Sequence, residues 1–467
     1  MKQRIKIGAD GKAYPYLCSA SVDNPSSIIY VAAYNSSDVD KERADIVLTG
    51  SHDEIILNTL IEKMSNAGYY KYNSSYPNNI EFVSSGHRGG KIFLFPGDYI
   101  VDGFTTYQYT DNENGKNVTK TYKCGIVFPS NHSRDNNTPY YTGEVTLEGF
   151  VNLHKESNIS AQSSFCGATI RLSQEAYDSV DASAENTEYA VIGSDPLFFY
   201  SQGFFQLKKL GFYLPENKKP IIAIDGKFSS EIGCEEIFMG TGADVANSDI
   251  CDPKCIGIRG CNSGNNGRHY VLKFIKVCGY GTGFHLGGEH LVCEQIIPQR
   301  CHFGYVFGNI SELNKYEGPS SSYGGPYGTG FHNLTFINCC FEYVHYGIIF
   351  GLGSYSATSA TTAINGVTFI DLNCEDFRDV TYYATIKCCE DRGGGCFRGI
   401  MTYLCGSHGR MWDDIENGKY FDSTNMYAPK IGNTSQRPTN NVELGFKYYD
   451  TDLQKYIFKT ATGWYIP

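Results

Sequence analysis

The sequence predicts an all-β chain wound into a right-handed parallel β-helix, with a capping helix at its N-terminal end and a small C-terminal β-module. Three observations predict this fold: a composition suited to short strands, a repeat of 21 residues, and the absence of helical periodicity from the repeats. The 467 residues include 51 Gly, 36 Tyr and 28 Phe, types that favour tight turns and strands. Apolar residues make up 41%, enough for a sizeable core, which excludes a disordered chain.

The repeat is clearest in three glycine-containing segments, TGFHLGG (282–288), FGYVFGN (303–309) and YGIIFGL (346–352). Gly283 and Gly304 are 21 residues apart, and Gly347 follows after 43. The longer interval contains a 22-residue insertion rich in Tyr, Ser, Gly and Pro, at 309–330. Removing this insertion restores the period, as expected for a solenoid turn that carries a loop.

A second strand recurs in each repeat, as VLKFIKVC (271–278), HLVCEQII (290–297), NLTFINCC (333–340) and GVTFIDLNC (366–374). We expect these strands to stack in register, with one apolar column inside the coil formed by Phe274, Cys293, Phe336 and Phe369. A β-sandwich also alternates polar and apolar residues, but it does not keep one register through a removable loop.

Residues 44–68, ADIVLTGSHDEIILNTLIEKMSNAG, predict a short helix for which Asp53 can act as N-cap. Its apolar positions follow helical spacing: Ile56, Leu57, Leu60, Ile61 and Met64. The strand–turn–strand segment GGKIFLFPGDYIV follows. Together these segments, Ala44 to Tyr99, resemble the start of the coil in pectin-lyase-like β-helix proteins. The resemblance implies that the helix covers the open N-terminal end.

The last forty residues predict a separate module with strands at Gly445–Tyr449, Gln454–Phe458 and Trp464–Ile466. They resemble the small C-terminal β-module of many bacteriophage structural and tail appendage proteins. The expected organisation is therefore an N-terminal attachment region (1–45), the capped β-helix (46–425) and the C-terminal β-module (426–467).

Charge and cysteine content restrict the partners and the compartment. The chain has 39 basic and 50 acidic residues, a net charge of −11, and no basic cluster, which argues against nucleic-acid binding. The sequence shows no apolar run typical of a signal peptide or a membrane span. The 17 cysteines include adjacent pairs such as Cys339–Cys340, so we expect buried free thiols formed in a reducing cytoplasm. No spacing predicts a metal site or a cofactor.

Two groups of residues are candidates for chemistry. Aligning Phe336 with Phe369 places Glu342 level with Glu375, with His345 close in sequence. Carboxylates on neighbouring turns, about 4.8 Å apart, suit a glycoside hydrolase pair; outward carboxylates that are merely solvated remain the alternative. Tyr316, Tyr323 and Tyr327 of the insertion suit sugar stacking or a subunit contact.

The resemblance implies a tailspike-like or tail-fibre-like virion protein, commonly a homotrimer, that binds a bacterial surface glycan and other tail or capsid proteins. Depolymerase activity on that glycan, as a hydrolase or lyase, is left open. The alternatives are a carbohydrate-active β-helix enzyme of bacterial or prophage origin and a virion decoration without a ligand.

Overall fold

The structure is a computed structural model. It describes residues 3–7, 13–17, 28–72, 80–84, 89–113, 116–129, 140–142, 144–149, 167–196, 204–229, 231–242, 251–260, 270–286, 291–307, 330–342, 344, 346–351, 363–370, 372–375, 384–390, 397–401, 404–406, 430–436, 447–460 and 463–466.

Most described strands belong to three columns, and each turn of the chain adds one strand, or one half of a long bent strand, to each column. The first column contains Ile28–Ala32, Gly90–Leu94, Val145–Gly149, Phe204–Lys208, Gly330–Ile337, Ala363–Ile370 and Phe397–Met401. The second contains Gly97–Val101, Ala168–Leu172, Leu210–Leu214, Cys340–Glu342, Leu372–Glu375 and Leu404–Gly406. Three long strands bend across both columns: Glu231–Thr241, Tyr270–Cys278 and Leu291–Gln299.

The third column contains Lys116–Phe128, Thr187–Ser194, Ile222–Asp225, Ile256–Arg259, Thr282–Leu286, Phe303–Phe307, Tyr346–Gly351 and Ala384–Glu390. Within every column, successive turns pair in parallel. An all-β chain whose turns repeat three strands in this way is a parallel β-helix, and the predicted fold is confirmed.

The core lies inside the coil, where apolar side chains stack in register from turn to turn. In the first column, Ile92, Leu147, Leu207, Cys234, Leu272, Cys293 and Phe336 form one buried row. The third column contributes Ile126, Ile192, Ile224, Ile258, Phe284 and Tyr305.

The predicted position of Phe274 in the apolar row is wrong. Leu272, with no exposed surface, pairs with Cys293, which pairs with Phe336. Phe336 pairs in turn with Phe369. Phe274 lies two residues further on, with a φ of 53° and 43% of its surface exposed. The two-residue offset was missed because position 274 carries a phenylalanine, as positions 336 and 369 do.

Phe274 belongs instead to a row of left-handed residues at the bend between the first and second columns. Lys209, Glu236, Phe274, Gln295 and Asn338 all have φ between 50° and 56°, and their neighbours pair from turn to turn. One left-handed residue per turn therefore makes the same corner each time. L-residues other than glycine enter this region at some cost.

The glycine repeat is also explained by close approach between turns. Gly257, Gly283, Gly304 and Gly347 stack in the third column. A Cβ on Gly283 would lie 2.6 Å from Pro298 Cβ, and one on Gly304 would lie 2.6 Å from the carbonyl oxygen of Gly347. The predicted stacking of Gly283 on Gly304, 21 residues apart, is therefore confirmed with a steric reason, but the period is not constant, since Gly257 and Gly283 are 26 residues apart.

The predicted cap helix is confirmed as Asp53–Ser65, but the predicted N-cap is wrong: Asp53 is the first helical residue, and its carboxylate accepts the N–H groups of Gly50 and Ile100 rather than those of the first helical turn. Leu57, Leu60, Ile61 and Met64 are fully buried. Two shorter helices, Asp38–Arg43 and Gln174–Asp178, lie elsewhere. Outside the columns, the described strands are Gln3–Ile7, Ala13–Leu17, Ile46–Val47, Asn66–Tyr72, Ile80–Ser84, Thr105–Glu113 and Tyr140–Thr142.

The cap helix also satisfies the edge of the first turn through its polar side chains. Asp53 Oδ2 accepts the N–H of Ile100 at 3.0 Å, and Glu54 Oε2 accepts that of Asp102 at 3.1 Å. Asn58 accepts the N–H of Val127 and donates to the carbonyl of Gly125, both at 2.8 Å. These bonds replace those that a preceding turn would make, so this edge does not offer a template for another strand.

The C-terminal module contains Lys430–Gly432, a 3₁₀ turn at Thr434–Gln436, and Lys447–Asp450, Lys455–Thr460 and Gly463–Tyr465. The last three strands pair antiparallel and lie within two residues of the predicted ones. Buried Asp450 organises the first turn, because its carboxylate accepts the N–H groups of Asp452 and Leu453.

Nine cysteines whose side chains the structure describes are free thiols, and eight of these nine are buried. This agrees with the prediction that cysteines act here as small core residues. Among the described helices, none is both long and apolar enough to cross a membrane.

Candidate functional site

The predicted carboxylate pair lies on the second column. Glu342 and Glu375 occupy the same register position on adjacent turns, so the predicted alignment is confirmed. Gln299 holds that position one turn earlier. His345 and the insertion residues Tyr316, Tyr323 and Tyr327 lie outside the described residues.

Glu342 is held from two directions on the outside of the coil. The side-chain amide of Gln299 donates to its Oε2, and Lys276 Nζ lies 3.7 Å from the same oxygen. The Glu342 side chain is 16% exposed and that of Lys276 is 24% exposed. A half-buried carboxylate in fixed geometry can act as base, nucleophile or hydrogen-bond acceptor towards a bound ligand.

The neighbouring thiol is not a candidate nucleophile. Cys278 precedes Gln299 in the same register row, and its thiol lies 3.6 Å from the Gln299 side-chain oxygen. Burial raises the pKa of the Cys278 thiol to about 11. The thiolate is therefore scarce at neutral pH, and the chemistry at this position depends on the carboxylates.

The same row continues towards the N-terminal end with Ile100, Arg171, Tyr213 and Gly240. Arg171 Nε lies 2.5 Å from Asp98 Oδ1, and its guanidinium carbon lies 4.6 Å from the centre of the Tyr213 ring. We call the row from Ile100 to Glu375 the outer row. Its positions are about 4.8 Å apart along the coil, and five of the eight carry a polar or aromatic residue, whereas Ile100, Gly240 and the buried Cys278 interrupt the row. Polar positions spaced along one line suit an extended polymer.

The outer face of the first column carries a ladder of alternating charge. Glu148, Lys208, Glu235, Lys273 and Glu294 pair in register from turn to turn. Lys208 and Glu235 lie 3.1 Å apart, and Lys273 and Glu294 lie 2.7 Å apart. Exposed pairs of this kind contribute little to stability because water screens them. Their charges compensate each other, so the ladder is a poor candidate for binding a charged ligand.

A buried ionic cluster on the third column was missed by the sequence reasoning. Arg259 donates to Glu188 at 2.7 Å and to Asp225 at 2.6 Å. Lys227 donates to Glu188 at 2.8 Å, and the Tyr122 hydroxyl donates to Asp225 at 2.9 Å. The side chains of the four charged residues are at most 2% exposed. A signal existed: IAID (222–225) and IGIR (256–259) place opposite charges at one repeat position.

The buried charges of the cluster neutralise one another. Burial acts to raise the pKa of Glu188, but Arg259 and Lys227 outweigh it and lower the pKa to about 2. Burial lowers the pKa of Lys227. Two cations neutralise two anions, and the donors and acceptors named above satisfy each other across four turns. The arrangement stabilises the stacking of turns and leaves no group exposed for catalysis.

The described residues contain no group of three or more potential metal ligands.

Comparison with known proteins places the chain in no family. No family model matches it, and no curated protein matches it. Among solved structures, the chain is similar to the crystal structure of bacteriophage CBA120 tailspike protein 3, with 11% identity and a TM-score of 0.16. The alignment covers 87% of this chain and 68% of that one.

Proposed function

We propose that this chain is a tailspike-like or tail-fibre-like subunit of a bacteriophage virion that binds a bacterial surface polysaccharide. The observation that carries the proposal is the outer row, which places polar or aromatic residues at five of eight stacked positions along the coil. A polysaccharide is itself a repeating polymer with hydroxyl groups and apolar ring faces. It can therefore meet several turns at once through hydrogen bonds and stacking on tyrosine.

The two ends of the chain support the assignment to an appendage. The N-terminal edge is closed by side-chain hydrogen bonds, and the C-terminal end carries a compact β-module that resembles those of phage tail proteins. The buried free thiols fit assembly in a host cytoplasm. Within the proposal, the subunit forms a homotrimer that attaches to other tail or capsid proteins, and the division at residues 45 and 425 separates attachment region, coil and module.

The second part of the proposal is degradation of the bound polysaccharide. Adjacent turns lie about 4.8 Å apart, close to the separation of about 5–5.5 Å between the carboxyl groups of retaining glycosidases. Glu342 is the nucleophile candidate because Gln299 and Lys276 hold it in place. Glu375 and His345 are the candidates for the proton-transfer role, and Tyr316, Tyr323 and Tyr327 for stacking on the sugar.

The experiment that tests the proposal locates the protein and measures its binding. Antibodies against the purified chain should label tails of intact virions, and the purified chain should bind host cells. Enzymatic removal of the host capsule should abolish that binding. Absence from virions, together with a monomeric chain that degrades a polysaccharide, would instead identify the bacterial or prophage enzyme. Presence in virions without any binding would identify a structural decoration.

A further inference from the structure

Both side-chain contacts of the Glu342 carboxylate involve the same oxygen atom. The side-chain amide of Gln299 donates to Oε2, and Lys276 Nζ lies 3.7 Å from Oε2. Among the described residues, no donor lies on Oε1. The Glu342 side chain keeps 16% of its surface exposed. The two oxygens are therefore distinct: Oε2 is held, and Oε1 is the one left for a ligand.

The direction of the Gln299 amide is fixed by the turn before it. Cys278, Gln299 and Glu342 occupy one register position on three successive turns. The Cys278 thiol donates to the Gln299 side-chain oxygen at 3.6 Å, and an ionised carboxylate can only accept hydrogen bonds. The amide nitrogen of Gln299 therefore faces Glu342, and both ends of the amide are engaged.

Lys276 approaches the same oxygen from two turns away. It lies two residues before Cys278 on the strand Tyr270–Cys278, so the two side chains leave the same face of the strand. Its contact with Oε2 is 3.7 Å long, whereas a charge-assisted hydrogen bond measures about 2.7–2.9 Å. Lys276 therefore contributes positive charge, and Gln299 fixes the orientation of the carboxylate.

We infer that Gln299 and Lys276 are positioning residues for the proposed cleavage, and that Oε1 of Glu342 is the oxygen that attacks the sugar. The inference rests on the proposed function and deepens it. In the first step, Oε1 bonds to the anomeric carbon, the bond from that carbon to the leaving oxygen breaks, and the proton-transfer residue protonates that oxygen. Water then attacks the same carbon, returns a proton to that residue and releases Glu342 as a carboxylate.

The held oxygen has a role in both steps. When Oε1 becomes the ester oxygen, Oε2 becomes the ester carbonyl, which can still accept the hydrogen bond of Gln299. The carboxylate loses its negative charge in the ester and regains it when water attacks. A positive charge beside Oε2 stabilises the regained charge and so speeds release of the sugar. Loss of either residue should therefore reduce kcat more than it weakens binding.

Steady-state cleavage of purified host capsule by the full chain tests the inference, with kcat and KM determined separately. Gln299→Met keeps the length of the side chain without its donor, and Lys276→Met removes the charge. We expect each to lower kcat at least about thirtyfold while KM stays within about threefold. Lys276→Arg restores a cation and should stay within about fivefold of wild type.

The matched control is Lys273→Met, which removes a lysine from the same strand. Lys273 lies 2.7 Å from Glu294, on the outer face of the first column and away from the outer row. This variant should keep kcat and KM within about twofold of wild type. Thermal unfolding of every variant separates a folding defect from a catalytic one.

A chemical readout separates positioning from packing. During turnover, Lys276→Met should accumulate the glycosyl ester, because the missing charge slows its breakdown. Acid quenching followed by mass spectrometry should then detect added sugar on the peptide that contains Glu342. A variant with slow cleavage and no such adduct would overturn the role of Lys276.

An equal loss of kcat in Lys273→Met, or a raised KM with unchanged kcat in the Gln299 and Lys276 variants, would overturn the inference. If Gln299→Met does not fold, the comparison of Lys276→Met with Lys276→Arg decides. If wild type and both methionine variants cleave capsule equally well, this inference fails and the proposed function survives. If wild type binds cells without cleaving capsule, the proposed degradation and this inference fail together, and the proposed binding survives.

Discussion

Glu342 and Glu375 lie at one register position on adjacent turns of the second column, so their backbones are about 4.8 Å apart. The relationship arises from stacking alone, since the two residues are 33 positions apart in the sequence. Of the two, Glu342 contacts Gln299 and Lys276 through its carboxylate.

Substituting Glu342 tests whether this position is catalytic. We expect Glu342→Gln to reduce polysaccharide cleavage at least about a hundredfold while leaving cell binding within a few fold, because the amide keeps the shape but not the nucleophile. Reducing-end release from purified capsule measures the first quantity. The matched control is Glu294→Gln, an outward glutamate paired with Lys273, which should cleave normally. Equal activity in both variants would reject the catalytic role.

Substituting Asn58 tests the closure of the N-terminal edge. Asn58→Ala leaves the N–H of Val127 and the carbonyl of Gly125 without their partner, so the free energy of unfolding should fall by about 1–3 kcal/mol. Urea denaturation measures this loss. Thr59→Ala, on the exposed side of the same helix, should cost less than about 0.5 kcal/mol. Similar small losses in both variants would show that the side-chain bonds do not hold the edge.

Breaking the buried ionic cluster should strongly lower the free energy of unfolding. Arg259→Met leaves Asp225 and Glu188 buried without their shared cation, and we expect a loss of about 3–5 kcal/mol. Arg171→Met, which removes a partly exposed pair with Asp98, should lose about 1 kcal/mol or less. Calorimetric unfolding of the two variants compares them. If Arg259→Met matches Arg171→Met, the cluster does not support the stack of turns.

The same cluster predicts an acid transition. The pKa of Glu188 is lowered from 4.5 to about 2 in the folded chain, so its ionised form stabilises the fold above pH 4.5. That contribution is lost as the pH falls from about 4.5 to 2. In Glu188→Gln, unfolding stability should depend less steeply on pH over this interval. If the unfolding free energy of this variant depended on pH as steeply as that of wild type, ionisation of Glu188 would not be coupled to folding.

Because Leu272 and not Phe274 lies in the buried row, substitutions at these two positions should differ in their effect on the free energy of unfolding. Leu272→Ala removes a fully buried side chain and should cost about 2–5 kcal/mol. Phe274→Asn should be neutral or stabilising, because asparagine tolerates the left-handed backbone that phenylalanine adopts there. Chemical denaturation measures the free energy of unfolding of both variants. The opposite order of effects would restore Phe274 to the core and refute the structural register.

The sequence was informative where each turn repeats one residue type for one physical reason. The glycines at 283 and 304 repeat because each faces a close backbone or proline contact, and the alignment of Phe336 with Phe369 located Glu342 beside Glu375. Phe274 misled because the left-handed bend has no residue preference shared by Lys209, Glu236 and Gln295.

Other features needed coordinates because their partners are distant in the chain. The bonds of Asn58 to Gly125 and Val127 span 67 and 69 residues. The charges of Asp225 and Arg259 interrupt apolar strands, which in sequence resembles a surface position rather than a buried pair. Only the stacking of their turns brings them together.

The central claim is that the chain stacks its turns in one parallel coil, and distances along the coil test this claim most directly. Lys91, Gln206, Val271 and Thr335 belong to one outward row of the first column, linked through intermediate turns. Genetically encoded spin labels, which avoid the 17 native cysteines, can be paired between Lys91 and each of the others. A parallel coil predicts separations that grow to about 10, 19 and 29 Å over two, four and six turns. Separations that do not increase in proportion to the number of turns would contradict the stacked coil.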